Sequence, residues 1–334
     1  MISEGRRQGF ERAVTTCVVA VLLLAGCSCD DEPGNLFRVG LLTSGSIQDA
    51  GWHQSAYQGL ERLRDELGAE VVHQVASTPQ EAEAAFRDLA ERGFNLVFGH
   101  GLGFSDASVK VGRSFPRTVF ITTNGSAVLR NVSPIIFEVQ EVTYVLGYVA
   151  GAISRRAHVG AVGGVEIPQL ASAFYAFTEG AVRARPRVRT SVSYSGSWTD
   201  DSAARTTTGA QIAEGADILI HNLGESADGF FQAVKESQNV LAFGTDRNQQ
   251  DLAPGAVLAS ITIDVAETFM RVAKEVKSRQ FWPRAIRYGM RSGVIGIDWN
   301  EALASQVPAQ VMREADALAE RIRRGAFEVP GSRF

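Results

Sequence analysis

The stretch "FRVGLLTSGSIQDAGWHQSAYQGL", residues 37–60, decides the fold. Its first part, from Phe37 to Leu42, is a short apolar run typical of a buried strand. Further on, Ala56, Leu60, Leu63 and Leu67 recur at the spacing of one helical face. A strand that leads through a polar loop into an amphipathic helix opens a β-α unit. We therefore expect an α/β fold from Phe37 onward.

The same alternation continues along the chain and then starts afresh. In residues 37–137 it predicts strands at Glu70–Val75, Leu96–His100 and Thr118–Thr122, and Thr78 to Glu81 form a capping box before a helix. In residues 138–261 it predicts strands at His158–Val162, Arg187–Tyr194, Asp217–His221, Leu241–Gly244 and Ala256–Ile261. Two α/β units of similar size indicate two lobes, each a parallel sheet flanked by helices. The late elements fit either unit, and we assign residues 262–282 to the first and 283–334 to the second.

The N-terminal residues have the pattern of an export signal. Three arginines precede the apolar run "AVTTCVVAVLLLAGC", residues 13–27, which is shorter than the ~20 residues of a spanning helix. Its last residues, Leu24-Ala25-Gly26-Cys27, resemble the bacterial lipobox, in which the cysteine is lipidated and becomes the N-terminus. We expect a signal peptide at 1–26 and a lipidated tether at 27–36. The alternative is a plain secretory signal with an incidental cysteine.

Charge and cysteine content exclude several classes of function. The formal net charge is −4, and removal of residues 1–26 takes away three basic and two acidic residues, which leaves about −5. Nothing here favours a nucleic-acid partner. Only Cys29 would remain beside Cys27, so neither a disulfide nor a cysteine metal site is expected. The five histidines lack zinc spacing, and we expect structural roles for those at strand ends; no metal or cofactor is predicted.

Parallel sheets bind ligands in the loops that follow the carboxyl ends of their strands. Both units carry a tryptophan next to an acid in such loops, together with glycines and polar amides. This pattern predicts that the two units close on one small, flat, hydrogen-bonding ligand bound between their loops. The candidate ligand-binding residues are Asp49, Trp52, His53, Gly101, Asn124, Trp198, Asp200, Gly224 and Asp246.

Each of these residues also has a structural alternative. Trp52 and Trp198 could cover the core beneath their loops, and Asp49 could cap the helix that follows it. Asn124 lies in an Asn-Gly turn dipeptide, and Asp246 could form a turn. His53 could be a general base, but no nucleophile or metal set accompanies it.

Several motifs resemble the basic membrane protein (BMP) family of substrate-binding lipoproteins, a branch of the type I periplasmic binding proteins that serve ABC transporters. The segment from Asp49 to Leu60 is similar to the family's D-x-S-F-N-x-S-A-Y-E-G-L segment. "VGGVEIP", "YSGSWTD" and "FGTDRNQQ" resemble further family segments. The resemblance covers the chain from about Phe37 to its end.

The resemblance implies two lobes joined by hinge strands and a purine nucleoside bound between them. Trp52 would take the place of the stacking aromatic residue, His53 that of a base-binding asparagine, and Asp246 that of an acid that binds ribose hydroxyls. Three positions depart from the family pattern. Asn124 lies near the place of an aspartate, Ile263 replaces a lysine, and Ala173 aligns near a second stacking phenylalanine, with Phe174 beside it and Phe177 retained.

The sequence therefore predicts a monomeric, non-enzymatic, lipid-anchored binding protein of the bacterial cell envelope, which faces the periplasm or the exterior. It would bind a purine nucleoside, a nucleobase or a similar flat ring and deliver it to an ABC permease. One alternative is a sensor lipoprotein that signals to a membrane partner. Another is a hydrolase that uses His53 with Asp49.

Overall fold

The computed structural model describes residues 36–48 and 51–331. Asp49, the expected signal peptide and all of the expected tether except Leu36 lie outside the described residues. The strands alternate with helices along the chain. The strands are β1 Arg38–Thr43, β2 Glu70–Val75, β3 Leu96–His100, β4 Val119–Thr123, β5 Val132–Phe137, β6 His158–Gly163, β7 Arg189–Tyr194, β8 Ile218–Asn222, β9 Leu241–Gly244, β10 Val257–Ile263, β11 Ile286–Tyr288 and β12 Ile295–Trp299. The α-helices are α1 Trp52–Leu67, α2 Pro79–Glu91, α3 Ser105–Gly112, α4 Gln140–Ile153, α5 Pro168–Ala184, α6 Asp201–Ala213, α7 Ala227–Glu236, α8 Val265–Lys277 and α9 Ala309–Arg323.

The strands form two six-stranded sheets of matching order. The first sheet runs β11-β5-β4-β3-β1-β2, and its pairs are parallel. The second runs β12-β10-β9-β8-β6-β7 and is parallel except where β12 pairs antiparallel with β10. Helices α1, α2, α3 and α8 flank the first sheet, and α4 to α7 with α9 flank the second. The predicted α/β fold of two lobes, each built on a parallel sheet, is confirmed.

Within the described residues the chain passes between the sheets three times, and these crossings form the hinge. They lie after β5 at Glu138, after β10 at Asp264, and between β11 and β12 at residues 289–294. Neighbouring crossings are bonded to each other, since Glu138 N donates to Tyr288 O at 2.9 Å and Asp264 N donates to Val294 O at 2.8 Å. The sequence assigned residues after 283 to the second unit, whereas β11 pairs with β5 in the first sheet. A three-residue strand is too short to show a periodicity that would assign it to a sheet.

Local sequence signals explain the start of α2 and the close packing of α4 against α5. Thr78 Oγ1 accepts a hydrogen bond from Glu81 N while the Glu81 carboxylate accepts from Thr78 N, which is the predicted capping box at the start of α2. Helices α4 and α5 approach closely because Gly147 and Gly151 on α4 face the backbone of α5. A Cβ at either glycine would overlap the carbonyl oxygen of Phe177 or Ala181. Among the described residues, no helix combines the length and the apolar character that crossing a membrane requires.

Candidate functional site

Two side-chain contacts bring loops of the first lobe against loops of the second. His53 Nε2, at the start of α1, lies 3.8 Å from Glu225 Oε1, in the loop after β8. Gln169 Nε2, in the first turn of α5, donates to the carbonyl of Asn124 at 3.0 Å. Both contacts join residues that follow the carboxyl ends of parallel strands. The loops that the sequence singled out therefore meet across one cleft.

Trp52 opens α1 and rests on a buried histidine. Its ring stacks on His100, with centroids 4.0 Å apart and an angle of 26° between the planes, and it packs edge-on against Phe137. His100 ends β3 and is fully buried. Its Nε2 donates to Trp52 O at 3.1 Å, and its Nδ1 accepts from the Thr123 hydroxyl at 3.2 Å. The expected structural role of a strand-end histidine holds for His100, which supports the tryptophan.

Burial favours the neutral form of His100, in which Nε2 carries the proton that the Trp52 carbonyl accepts. Burial holds the pKa of its imidazole well below its usual range, and the nearby His53 lowers the pKa further, while the bond to the Trp52 carbonyl acts in the opposite direction. A neutral ring beneath Trp52 puts no cation against the indole. One face of the Trp52 ring is thus covered by His100, and the residue as a whole is half-buried.

His53 is buried between Ser44 and Glu225. Its Nε2 lies 3.5 Å from Ser44 Oγ, and Gly45 lies beneath the same ring. A Cβ at Gly45 would overlap the Glu225 carboxylate, so the absence of a side chain there lets the glutamate of the second lobe reach the histidine of the first. Glu225 is about one-third exposed. The pair is thus a polar contact between the lobes.

Asn124 occupies the turn after β4 in the left-handed region, with φ +56°. Its backbone N–H donates to Ile135 O at 2.6 Å, and its carbonyl accepts from Gln169. Within the described part of the chain, its side-chain Oδ1, Gln169 Oε1 and Thr122 Oγ1 are buried and have no hydrogen-bond partner. Buried polar atoms are normally satisfied. This cluster can therefore accept hydrogen bonds from the N–H groups of a ligand.

Trp198 lies over two glycines of the second lobe. A Cβ at Gly164 would overlap the indole, and one at Gly224 would lie 3.5 Å from its Cε3. The Trp198 carbonyl accepts from Ser226 N at 2.9 Å, which ties the tryptophan to the loop that carries Glu225. Gly224 has φ +57°, a conformation that suits glycine. The structure thus places Trp198, Gly224 and Glu225 together on the second lobe.

Asp200 and Gly101 lie at the edges of this arrangement. The Asp200 carboxylate is exposed and accepts a hydrogen bond from Ala203 N at 3.0 Å, as the N-cap of α6. A helix cap accounts for this acid without a ligand. Gly101 follows His100 with φ +138°, and its carbonyl accepts from Phe104 N at 3.3 Å. Asp49, the remaining candidate at the start of α1, lies outside the described residues.

Asp246 lines a cavity of about 460 Å³ at the hinge. The cavity is lined by Ser55 and Gln58 of α1, by residues 246–248 after β9, by the crossing at 262–266, and by Gly293, Val294 and Gly296. It therefore takes residues from both lobes and from two hinge crossings. Its volume falls in the ~300–1,000 Å³ range of small-molecule sites. Asp246 has φ +69°, and its carbonyl accepts from Ile263 N at 3.1 Å.

A buried histidine holds the loop that carries Asp246. His221 Nε2 lies 2.9 Å from Gln249 Oε1, which also accepts from Thr245 N at 2.8 Å. Because Gln249 Oε1 is an acceptor, His221 Nε2 must carry the proton. Burial lowers the pKa of His221 to about 4, against the smaller opposing effect of the bond to Gln249. The ring is neutral and fixes the turn from Thr245 to Gln249.

Phe174, Phe177 and Ile263, which the family resemblance pointed to, do not lie beside the interlobe contacts. Phe174 and Phe177 on α5 are fully buried in the core, where Phe174 packs near Tyr194 and Phe177 near Phe243. Ile263, in the place of a lysine, is buried apart from its contact with the hinge cavity. Trp198 is therefore the aromatic residue that the second lobe presents beside the interlobe contacts.

The candidate residues drawn from the sequence did not include Glu225 and Gln169, whose side chains contact the first lobe in the described part of the chain. Glu225 lies in the loop from Asn222 to Glu225 that follows a predicted strand, and an acid in such a loop was the available signal. Gln169 follows the proline that opens α5, one turn beyond the loop where ligand residues were sought. Among the described residues, no group of three or more His, Cys, Asp or Glu side chains is placed to hold a metal ion.

Comparison with known proteins gives the family. The profile of the family described as "ABC transporter substrate-binding protein PnrA-like" matches residues 37–332. Basic membrane protein A of Borreliella afzelii is 27% identical over 313 residues, which cover 91% of this chain and 95% of the relative. A purine-binding protein of Brucella abortus is 26% identical over 311 residues, 92% of this chain and 86% of the relative.

A solved structure shares the whole architecture. The solute-binding protein of an ABC transporter system from Aeropyrum pernix superposes with a TM-score of 0.78 at 21% identity, over 88% of this chain and 94% of that one. At this identity the likeness shows the fold. The family profile, which matches almost the whole chain, shows more: this chain belongs to the PnrA-like family of ABC transporter substrate-binding proteins.

Proposed function

We propose that this protein captures a purine nucleoside or nucleobase in the cleft between its lobes and delivers it to the permease of an ABC importer. The observation that carries the proposal is Trp52, which is stacked on His100 at 4.0 Å beside His53. A supported tryptophan next to buried polar groups suits a flat heterocycle, since stacking on an aromatic side chain contributes roughly 1–3 kcal/mol per base. The relative from Brucella abortus is named a purine-binding protein, in agreement with this ligand class.

The polar groups of the cleft fit the rest of such a ligand. Asn124 Oδ1 and Gln169 Oε1 are buried acceptors, suited to ring N–H and exocyclic amino groups. The hinge cavity beside Asp246 offers carboxylate, amide and hydroxyl groups to the hydroxyls of a sugar. In our proposal these groups make binding contacts with the ligand, and the protein binds the ligand without converting it.

Substrate-binding proteins of ABC transporters work outside the cytoplasm. In our proposal the acylated Cys27 anchors this one to the membrane, with the folded body in the periplasm or at the exterior. The body acts as a monomer that presents the closed cleft to the permease. Mass spectrometry of the N-terminal peptide from the native host tests the acylation directly.

Isothermal titration calorimetry against a panel of purine and pyrimidine nucleosides and free bases tests the ligand. We expect binding by at least one purine compound and no conversion of it during the titration. Native mass spectrometry of protein purified from its host should show a retained small molecule of matching mass. Absence of heat for every compound, together with a ligand-free native mass, would overturn the proposal.

A further inference from the structure

One end of the first lobe combines an exposed tryptophan with a group of unpaired cations. This end is formed by the loops that precede the strands of the first sheet, opposite the cleft. Trp282, in the loop between α8 and β11, is 60% exposed and is the only tryptophan among the large exposed apolar side chains of the described residues. The Arg284 guanidinium lies 4.5 Å from the centroid of its ring and is paired with Glu275 at 2.7 Å. The ring is therefore held at the surface rather than folded into the core.

The cations around Trp282 have no acidic partners in the described part of the chain. They lie in three neighbouring loops and in the last turn of α8, and all are exposed: Arg113, Arg117, Arg130, Lys274, Lys277 and Arg279. We call this group, with Trp282, the basic end. The loops are contiguous, since Arg284 N donates to Ser133 Oγ at 3.0 Å and Asn131 Nδ2 donates to the carbonyls of Gly112, Phe115 and Thr118.

Most acidic side chains at this end lie in ion pairs, whereas the exposed Glu91 at the end of α2 has none among the described residues. Asp65 pairs with Arg64 at 2.8 Å, Glu66 with Arg62 at 2.6 Å and Glu70 with Arg38 at 2.9 Å. The chain as a whole carries a net charge of −4. This end carries a local excess of positive charge although the protein is acidic overall. Because attraction at short range depends on the local electrostatic potential, this end suits an anionic partner.

The expected tether enters the body at the same end. Leu36 is 57% exposed and precedes β1, whose start is bonded to the start of β2 through Glu70 N and Phe37 O at 2.9 Å. Lys277 Nζ in turn donates at 2.9 Å to the carbonyl of Leu67, the last residue of α1 before β2. The ten residues 27–36 span at most ~36 Å even when fully extended. An anchor at Cys27 therefore keeps this end of the body within reach of a bilayer.

We propose that the basic end of the first lobe docks on the anionic surface of the lipid bilayer, with Trp282 inserted at the level of the headgroups. Tryptophan is favoured at membrane–water interfaces, and each Lys or Arg near an anionic surface strengthens binding about fivefold. In the docked arrangement the cleft, at the opposite end of the strands, faces away from the lipid and is open to incoming ligand. The body leaves the lipid surface when it presents the closed cleft to the permease. The inference rests on the lipid anchor of the proposed function, which brings the two surfaces together.

The test measures vesicle binding without the acyl chain. The chain from residue 27 onward, with Cys27→Ser, keeps every described residue, and its compact body begins at Phe37. Cosedimentation is measured with vesicles of phosphatidylcholine alone and with 30 mole per cent (roughly one lipid in three) phosphatidylglycerol, at low and high salt. We expect binding to the anionic vesicles only, and its loss at high salt.

Two variants and a matched control locate the surface. Arg117→Glu with Arg130→Glu should weaken vesicle binding at least ~25-fold, and Trp282→Ala should weaken it without changing the salt dependence. Arg156→Glu with Arg187→Glu makes the same charge change at the equivalent end of the second lobe, where both side chains are exposed, and should leave binding unchanged. Equal losses in both double variants, or equal binding to neutral and anionic vesicles, would overturn the proposal.

The outcome is separable from that of the proposed function. Ligand affinity of the same variants, measured by calorimetry, should equal that of the parent protein because the basic end lies away from the cleft. Vesicle binding with an unacylated Cys27 in the host would refute the anchor but not the surface. Failure of the Cys27→Ser protein to bind vesicles, when the native protein is acylated and binds its ligand, would refute the surface alone.

Discussion

At the scale of single residues, removal of the Trp52 side chain tests whether it contacts the ligand or only covers the core. We expect Trp52→Ala to weaken ligand binding by ~1–3 kcal/mol, about 5- to 150-fold, because a stacking surface is lost. Trp52→Phe keeps an aromatic ring on His100 and should lose less. Calorimetry below the melting temperature of each variant measures the effect. Trp282→Ala, far from the cleft, is the control, and an unchanged affinity in Trp52→Ala would show that the indole only covers the core.

His221 makes the stability of the second lobe depend on pH. Its folded pKa of about 4 lies below the ordinary histidine value, so the unfolded chain binds the proton first as pH falls. Above about pH 7.5 the ring is neutral in both states and contributes no pH dependence. Between pH 6.5 and 4 the free energy of unfolding should fall, by about 3 kcal/mol in total from this group. His100 and His73 act in the same direction, since burial lowers the pKa of each.

Urea unfolding at several pH values measures this contribution. His221→Gln lowers the overall stability, but its free energy of unfolding should depend less steeply on pH between 6.5 and 4. Above about pH 7.5 the two proteins should have the same slope. Parallel curves over the whole range would show that His221 takes up a proton in the folded protein as readily as in the unfolded chain.

At the scale of elements, the contact between α4 and α5 depends on glycine. Gly147→Ala would place a methyl group on the carbonyl of Phe177, so the helices must separate. We expect a loss of ~1–3 kcal/mol, as for other overpacked sites, and a lower melting temperature by circular dichroism. Gly209→Ala on α6 is the matched control, because nothing lies within 4 Å of the added Cβ. That variant should gain up to ~1 kcal/mol from helix propensity, and a loss as large as that in Gly147→Ala would refute the packing argument.

Element boundaries were predictable from the sequence where local chemistry alone decides them. The capping box at Thr78 fixes the start of α2, and apolar runs bounded by turns fix strands such as β2, β3 and β9, which lie where the sequence placed them. The assignment of β11 to the first sheet was not predictable. Three residues are too few to show an alternation of apolar and polar side chains. The pairing of β11 with β5 depends instead on where the hinge crossings place this segment.

Candidate site residues were likewise predictable where local sequence decides their position, and not where the packing of distant segments decides it. Loops after strands were identifiable because every parallel sheet gathers them at one edge, and Trp52, His53, Asn124 and Trp198 lie there. Asp200 is indistinguishable in sequence from a ligand-binding acid, but it caps α6. The contact of Glu225 with His53 depends on how the two lobes approach each other, which no local pattern encodes.

At the scale of the whole molecule, ligand binding and lobe closure should be one event. The three hinge crossings are the chain's connections between the sheets, and the cleft contacts of His53 with Glu225 and of Asn124 with Gln169 form only where the lobes meet. A ligand that touches both lobes favours the closed arrangement by its differential affinity for that arrangement. We therefore expect the radius of gyration from small-angle X-ray scattering to fall when a saturating purine ligand is added.

Gln169→Met tests whether the interlobe hydrogen bond contributes to closure. The variant keeps side-chain length but loses the donor to Asn124 O, which should cost ~0.5–1.5 kcal/mol of closed-state stability and weaken binding roughly 2- to 13-fold. It also loses the Oε1 acceptor of the proposed ligand site, which adds to the loss of affinity. Its scattering at saturation should still reach the closed value, at a higher ligand concentration. Gln310→Met, on the exposed surface of α9, changes the same group away from the cleft and should titrate as the parent does. If the parent protein bound ligand with no change in its radius of gyration, closure would not accompany binding and the cleft contacts would be permanent features of the fold.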